Sequence, residues 1–575
     1  MAKRSGAIHV ARVVRKYKDR EYVSHLLRRS YREGGKVRHE TLGNVSALPE
    51  ATIEVIRQSL AGKAHLVAGE GFEITRSLPH GHVAAVVEMA RGLGFPGLLG
   101  PAGAERDLAF ALVVARVCRP GSKLATTRWW ADTTLAVDVG LSGVTTDDVY
   151  AAMDRLYARQ GDIEATLARR HLTAGGLVLY DLSSSWMEGA HCPLAARGYS
   201  RDGKTGRAQI EYGLVTDPEG RPVAVEVFPG NTGDPTAFRA AVGAVRERFG
   251  LGDVVLVGDR GMITSARIEA LKALGGLGWV TALRAPAIAT LAADGGPLQL
   301  SLFDETNLAE ITHPDYPGER LVACRNPALA TERARKRVEL LAATEVELAK
   351  VATAVEAGRL SEPAKIGLRA GRVVNRYKVA KHFELDIGEG RFTYRRKEAA
   401  IDAEAALDGI YVIRTSVSAA TLSTPQVVEA YKRLAGVERD FRSLKTVDLD
   451  LRPIFHRLED RVRAHVFVCM LAAYIVWHLR RAWAPITFTD EAPPSRDDPV
   501  APARRSPSAQ AKASRRRTTH GETAHSFGSL LDHLATLTRN EVRAGENTIE
   551  ILATPTALQR QAFELIGSTI PYKLM

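Results

Sequence analysis

The sequence predicts an α/β fold in which helices lie on a mixed sheet, and three observations carry that prediction. Two short apolar runs, 177–180 and 254–257, have the length and composition of strands buried on both faces. Two more strand-like stretches, 209–216 and 222–228, are joined by Asp217-Pro218-Glu219-Gly220, with proline second and glycine fourth as a type I turn favours. Helical periodicity over 235–249 and 265–274, with a strand at 277–283, completes the order β-β-β-α-β-α-β.

Ahead of this core, 7–45 reads as short strands (8–14, 22–31 and 36–42) with a turn at Gly34-Gly35 and basic residues alternating through them. A helix over 51–60 follows Pro49. Between 79 and 170 the pattern is helical, at 83–93, 105–116, 147–160 and 164–169. After the core, 286–408 holds weak strands and one charged helix, 332–357, without a sustained heptad seam, so it reads as an inserted subdomain. Regular structure resumes with a strand at 409–413 and a helix over 424–446, where Thr424 suits the N-cap and Pro425 the first helical position. A more apolar helix spans 458–482. Residues 486–525 are rich in Pro, Ser, Ala and Arg and poor in large apolar side chains, so they read as a disordered basic linker. The division is therefore 1–70 (basic N-terminal region), 71–172 (helical), 173–285 (core, first part), 286–408 (insertion), 409–485 (core, second part), 486–525 (linker) and 526–575 (C-terminal helical segment).

At 575 residues, 45% hydrophobic and 25% charged, the chain has a globular balance, which excludes wholesale disorder and fibrous repeats. Its four cysteines, at 118, 192, 324 and 469, are too few for a disulfide scaffold and lack metal-ligand spacing. The His191-Cys192 doublet is at most half of a zinc site, with no second half. The N-terminus has no apolar signal segment, and the longest apolar run, 466–479, contains His478 and is short of a bilayer span of about 18 residues. The expectation is a cytoplasmic protein with no membrane partner. Net charge is +12, placed unevenly: residues 1–40 carry +8 and 501–520 carry +6, leaving a nearly neutral body. Two basic ends suggest a polyanion, with nucleic acid leading and plain solubility as the competing explanation.

Three carboxylates stand out. Asp181 and Asp259 each follow an apolar strand, at the sheet edge where α/β sites form. On the helix over 424–446, Val427, Tyr431, Leu434, Glu438 and Phe441 share one stripe, which puts Glu438 among apolar neighbours. A buried carboxylate is costly unless paired or metal-bound. Pairing with Arg442, one turn on, is the structural alternative. Two strand-end aspartates and a helical glutamate match what a two-cation phosphoryl-transfer site needs, and carboxylates suit Mg²⁺, or Mn²⁺ in its place.

The segments LVLYDLSSS around Asp181, GYSRDGKTGRAQIEYGLVTDPEGRPVAVEVFPGNTGD over 198–234, VVLVGDRGMIT around Asp259, DGIYVIRTS over 408–416 and YKRLAGVERDFRSLKTVDLDLRPIFHRLEDRVRAHVFVCMLA from Tyr431 together resemble a DDE-type transposase of a bacterial insertion sequence. The likeness is to the cut-and-paste group with an RNase H-like core, a β-rich insertion and a Tyr-Arg-Glu-Lys signature, and it runs from about residue 7 to 482. It implies that Asp181, Asp259 and Glu438 form the catalytic and metal-binding triad, holding two Mg²⁺ ions, and that Tyr431 and Lys445 lie by the element end, Lys445 on a phosphate. The signature's arginine position is occupied by Leu434, and Arg442, one turn past Glu438, is the candidate to take the phosphate-clamping role. The basic N-terminal strands, with Arg12, Arg15, Lys16, Arg28 and Arg29, are the candidate grip on double-stranded DNA at the element ends. The resemblance implies metal-dependent cleavage and strand transfer into target DNA by a homodimer working on nucleoid DNA. Ser183–Ser185 raise a serine recombinase reading, which lacks the arginine cluster that chemistry needs. A stand-alone RNase H-like nuclease or resolvase, and a non-catalytic DNA-binding derivative, are the remaining alternatives.

Overall fold

A computed structural model describes residues 6–574 except 19, 64–71, 190, 294, 496–497, 519 and 545–546. The chain divides into two compact units, Met1–Leu78 with Arg539–Ala553, and Pro79–Thr538 with Thr554–Met575.

In the first unit, β1 (Ala7–Tyr17), β2 (Arg20–Glu33) and β3 (Lys36–Asn44) form an antiparallel meander. Gly34 and Gly35, both at positive φ (60° and 77°), make the tight turn between β2 and β3 that side chains would strain. The strands are longer than their apolar cores because charged pairs sit across from each other, Lys16 opposite Glu21 and Arg29 opposite Glu40. The helix Glu50–Leu60 buries Ile53. The next strand, β4 (Glu73–Pro79), opens the stretch that the sequence reads as wholly helical.

The second unit is built on an eight-stranded mixed sheet. In chain order its strands are β5 (Leu177–Trp186), β6 (Gln209–Thr216), β7 (Pro222–Pro229), β8 (Val254–Val257), β9 (Leu277–Ala282), β10 (Leu308–Ile311), β11 (Arg320–Arg325) and β14 (Ile410–Thr415). Their order across the sheet is β10-β11-β14-β9-β8-β5-β6-β7. Only β5, β8 and β9 run parallel to one another; every other pairing is antiparallel. With the helices Asp234–Gly243 and Ser265–Leu274, the order β-β-β-α-β-α-β is as predicted.

The segment 286–408 is less separate than its sequence suggests, because β10 and β11 join the main sheet and β14 packs against them. The remainder is the long helix Pro327–Glu356, the helix Pro363–Arg376 and the hairpin β12 (Phe383–Gly388) with β13 (Arg391–Arg396), around a small core of its own that includes Leu341, Leu348, Ile366 and Phe392.

Helices Gly81–Gly92, Ala104–Cys118, Thr146–Ala158 and Gln160–His171 occupy the predicted helical region, with Lys123–Ala131 among three shorter ones. They pack with Glu459–Ala482, whose residues from Val462 to Leu479 are almost all buried. By length and composition this last helix could cross a bilayer, contrary to the run-length argument, but 83% of its apolar window is buried inside the protein. It is a core helix.

Two C-terminal expectations are corrected. Residues 486–525 are not a disordered linker in the described structure. They carry the helix Pro507–Arg515, and Lys512, 1% exposed, donates to the carbonyls of Ala484 (2.7 Å) and Thr489 (2.9 Å) and pairs with Glu491 at 2.7 Å. Small residues and the Lys512 stem dock there in place of large apolar ones. The segment 526–575 is helical at Phe527–Ala535 and Ala557–Leu565, but between them lies the hairpin β15 (Thr538–Ala544) and β16 (Asn547–Leu552), whose β15 joins β4. Thr75 and Ser77 of β4 reach Glu541 and Asn540 of β15 through side-chain hydrogen bonds of 2.6 and 2.7 Å.

Candidate active site

The parallel register of β5 and β8 aligns two of the acids. Leu177, Val178 and Leu179 pair with Val255, Leu256 and Val257. Asp181 and Asp259 therefore each stand two residues past the last pair, at the carboxyl end of the parallel β5–β8 ladder. Asp181 is not beyond its strand, as the apolar run suggested. β5 continues to Trp186 because Asp181–Trp186 keep an antiparallel partner in Gln209–Leu214 of β6. Ser183, Ser184 and Ser185 are buried in that extension, Ser185 meeting the Tyr212 hydroxyl at 3.0 Å, so the serines are structural.

Asp259 lies where β8 turns into its loop. Its Oδ1 accepts from the backbone N–H groups of Gly261 (2.9 Å) and Met262 (2.7 Å). Gly261 keeps room for the carboxylates: a Cβ there would sit 3.3 Å from Asp259 Oδ1 and 3.7 Å from Asp234 Oδ2.

The third acid comes from helices packed on the sheet. Thr424–Lys432 and Leu434–Arg442 run on from one another with a break at Arg433, and Ser423, not Thr424, is the N-cap, its N–H donating to Gln426 Oε1 at 2.8 Å. The predicted stripe is real at Val427, Leu434 and Phe441, which are buried, with Phe441 edge-on to Tyr212 at 5.7 Å. Glu438 is a correction: it is exposed, at the open side of the stripe. The alternative Glu438–Arg442 ion pair does not form among the described residues, and Arg442 is exposed too.

Electrostatics tie the three acids together. Burial raises the Asp181 carboxyl to about 7, with Asp259 and Glu438 pushing the same way and the Leu182 N–H and Arg201 opposing. Burial, then the Asp259 carboxylate, pushes the Tyr431 hydroxyl up to about 12, with Glu438 and Asp181 adding to it and Arg260 opposing. Among the described residues none of the three carboxylates has an ion-pair partner, and no three His, Cys, Asp or Glu side chains already close into a metal cage. The donor set is nevertheless the oxygen-only kind that hard divalent cations take, and mutual repulsion without a neutralising cation is what such an ion relieves.

The other candidates are placed less uniformly. Lys445 does not point freely from the helix. It falls in the π-helical turn Ser443–Val447, is buried, and donates to Asp202 Oδ1 at 2.7 Å, a carboxylate it shares with Arg452. In β1 and β2 the alternation of side chains puts Arg12, Lys16 and Arg29 on the face of Val10 and His25, and Arg15 and Arg28 on the other. Arg12, Arg15 and Lys16 are exposed and Arg28 and Arg29 half-buried. The four cysteines are free thiols, and His191-Cys192 gathers no metal-ligand set.

One network escaped the sequence reading. Arg201 spans Glu211 (3.3 Å) and Asp234 (2.9 Å), and its N–H donates to Ser184 Oγ at 2.9 Å. With Asp259 these groups line a cavity of about 540 Å³. Glu211 is 3% exposed, and burial raises its carboxyl to about 7 against the pull of Arg201. The three residues lie inside the motif over 198–234, which was the available signal.

Two family models match the chain: a transposase DDE domain over residues 158–475, and the N-terminal domain of IS1634 family transposases over 10–70. The first spans more than half of the chain and includes Asp181, Asp259 and Glu438. No curated protein matches the sequence. Among solved structures the chain is similar to a piggyBac transposase synaptic complex with hairpin DNA, at 10% identity and a TM-score of 0.33, over 79% of this chain and 76% of that one. On the match to the DDE domain and to the N-terminal domain, the chain belongs to the DDE transposases of insertion sequences.

Proposed function

We propose that Asp181, Asp259 and Glu438 are the catalytic acids of DNA cleavage and strand transfer at the ends of an insertion sequence. The observation that carries this is the parallel register that sets Asp181 level with Asp259, together with the repulsion that Asp259 and Glu438 exert on the Asp181 carboxyl.

The same three carboxylates are the residues that would hold two divalent cations, Mg²⁺ or Mn²⁺. When bound, these ions supply charge stabilisation at the reacting phosphodiester and acidify the attacking water or 3′-hydroxyl. The protein's own part is positional. The backbone N–H groups of Gly261 and Met262 fix Asp259, and the Leu182 N–H holds Asp181. Glu438, on a helix packed against the sheet, is free to approach from the open side. No side chain is needed as a covalent nucleophile, because phosphoryl transfer is mostly orientation and electrostatics.

Double-stranded DNA of the element ends and of the target is the substrate. Tyr431 borders the triad, and Arg442, exposed one turn beyond Glu438, clamps a phosphate in place of the missing signature arginine. Lys445 would reach DNA only by leaving Asp202. The basic strands β1 and β2 grip the end sequence, and two chains act together because two ends must be cut.

The test is cleavage of end-containing DNA in Mg²⁺ by Asp181→Asn, Asp259→Asn and Glu438→Gln. Each should cut about a hundredfold to a thousandfold more slowly, the scale of losing a principal electrostatic group, while retaining band-shift affinity. Normal cutting by any one of them would refute the triad.

A further inference from the structure

We propose that a second pocket of the catalytic unit, lined by Arg116, Lys123, Arg457 and Arg461, binds a phosphodiester of the DNA on which the enzyme acts. The pocket is about 780 Å³ and is formed between the turn before the helix Lys123–Ala131 and the segment 450–461, which leads into the helix Glu459–Ala482. Five cationic side chains line it, Arg452 being the fifth, against a single carboxylate, Asp450.

The imbalance is not repaired elsewhere. Arg452 spends its charge on Asp202, and Arg461 lies 3.6 Å from Asp154. The other three make no ion pair among the described residues. Among the described residues Arg116, 5% exposed, donates only to the carbonyls of Leu449 (3.4 Å) and Gly121 (3.0 Å). Lys123, also 5% exposed, has one hydrogen-bond partner among the described residues, His465 Nδ1 at 3.4 Å. Arg457 is exposed at the mouth with no ion pair among the described residues. A buried ammonium beside a buried guanidinium, without an anion, is a costly arrangement that a bound anion reverses. Burial and Arg116 pull Lys123 down to about 7, and burial with the neighbouring cations pulls His456 down to about 3. Both histidines of the pocket, His456 and His465, are thus neutral at physiological pH, and Lys123 is only partly charged until an anion is bound.

Three features favour a phosphate within a DNA strand over a free anion. Phe455 and Leu458 stand 64% and 56% exposed at the rim, apolar surface that suits a sugar or base flanking the phosphate. Tyr150 is capped by Arg461 at 4.3 Å and carries the His456 ring edge-on at 6.0 Å, giving a flat wall. Arg452 stacks on Trp186 at 4.8 Å, and Trp186 ends the strand that carries Asp181. Along β5 the two residues are about 17 Å apart at 3.3–3.4 Å per residue, or roughly five nucleotides of strand.

The proposal rests on the chain being a transposase that acts on DNA, and its test separates the two. Full-length wild type, Arg457→Ala and Lys123→Met are titrated with an end-containing duplex across a salt series, with Mg²⁺ cleavage measured in parallel and thermal unfolding recorded for each. Loss of a phosphate contact should weaken binding about tenfold or more and flatten the slope of log affinity against log salt by about 0.9 per contact. Arg457→Ala, at an exposed position, keeps the test valid should Lys123→Met fold poorly. Unchanged affinity and slope in well-folded variants overturns the pocket while leaving catalysis by the wild type intact. A wild type that binds no DNA overturns both readings. A thermal shift produced by inorganic phosphate, lost in the variants and unaccompanied by any change in DNA binding, marks a free-anion site and overturns the DNA assignment.

Discussion

Among the described residues Asp181, Asp259 and Glu438 have no ion-pair partner, and the last two push the Asp181 carboxyl up, whereas Glu211 and Asp234, bordering the same cavity as Asp259, share the guanidinium of Arg201. Both groups hold acids raised to about 7 chiefly by burial. They differ in what answers that cost. In the second group a permanent side chain does, and the network also ties β6 to the loop carrying Arg201 and to the start of the helix Asp234–Gly243. In the first, backbone N–H groups and the field of Arg201 ease it, but among the described residues no side chain pairs with the acids, a condition that a bound cation would satisfy. The basic pocket at Lys123 is the mirror image, with cations in place of acids. Uncompensated charge marks a place for a ligand; compensated charge holds the fold.

The sharpest way to break this contrast is to remove the compensation. Arg201→Ala leaves Glu211 buried and alone, and should cost about 3–5 kcal/mol of stability in urea unfolding at pH 8, the usual result of orphaning a buried partner. Replacing Arg201 and Glu211 together with apolar residues of similar size should cost much less. A single substitution as mild as the double one would place the network among solvated surface pairs, and the contrast with the triad would fail.

The next effect has the opposite sign. Asp181 holds its proton in the folded state up to about pH 7, against an ordinary value of 3.8. The folded state therefore binds the extra proton between those values, and stability falls as pH rises through that window. Without divalent cation, Asp181→Asn should be more stable than wild type at pH 8 by about 1–3 kcal/mol, the penalty for an unsatisfied buried charged group, and indistinguishable from it near pH 4. Mg²⁺ at pH 8 should stabilise the wild type and not the variant. Chemical denaturation at the two pH values reads all three expectations, and an Asp181→Asn protein less stable than wild type at pH 8 contradicts the uncompensated site.

The sequence made the sheet and two of the acids readable because both depend on local runs. Val254–Val257 is apolar throughout, and Asp259 follows it. The rest was hidden by partners far along the chain. Ser183–Ser185 look like loop residues, yet they extend β5 because β6 pairs with them. Glu438 shares a helical stripe with Leu434 and Phe441, but angular position does not say where the sheet beneath ends, and the carboxylate emerges into solvent. Lys445 is implied by the resemblance to reach a phosphate, but it falls in a π-helical turn and bonds Asp202 instead. Arg201 could not be matched to Glu211 and Asp234 without the fold, since no spacing rule links them.

The smallest effect lies in the insertion, where charge is compensated and also wet. Arg396 of β13 makes a bidentate pair with Glu345 of the helix Pro327–Glu356, at 2.7 Å for both contacts, with the side chains 36% and 32% exposed. Geometry alone would rank it with Arg201. Solvent screening says otherwise, and hydrophobic packing of Leu348, Ile366 and Phe392 already holds the hairpin to the helices. A double-mutant cycle over Glu345→Ala and Arg396→Ala should give a coupling of about 0.2–1 kcal/mol, with transposition unaffected. A coupling several times larger would mean that exposure does not separate the two kinds of pair, and that Arg201 is distinguished from Arg396 by the burial of Glu211 only in degree.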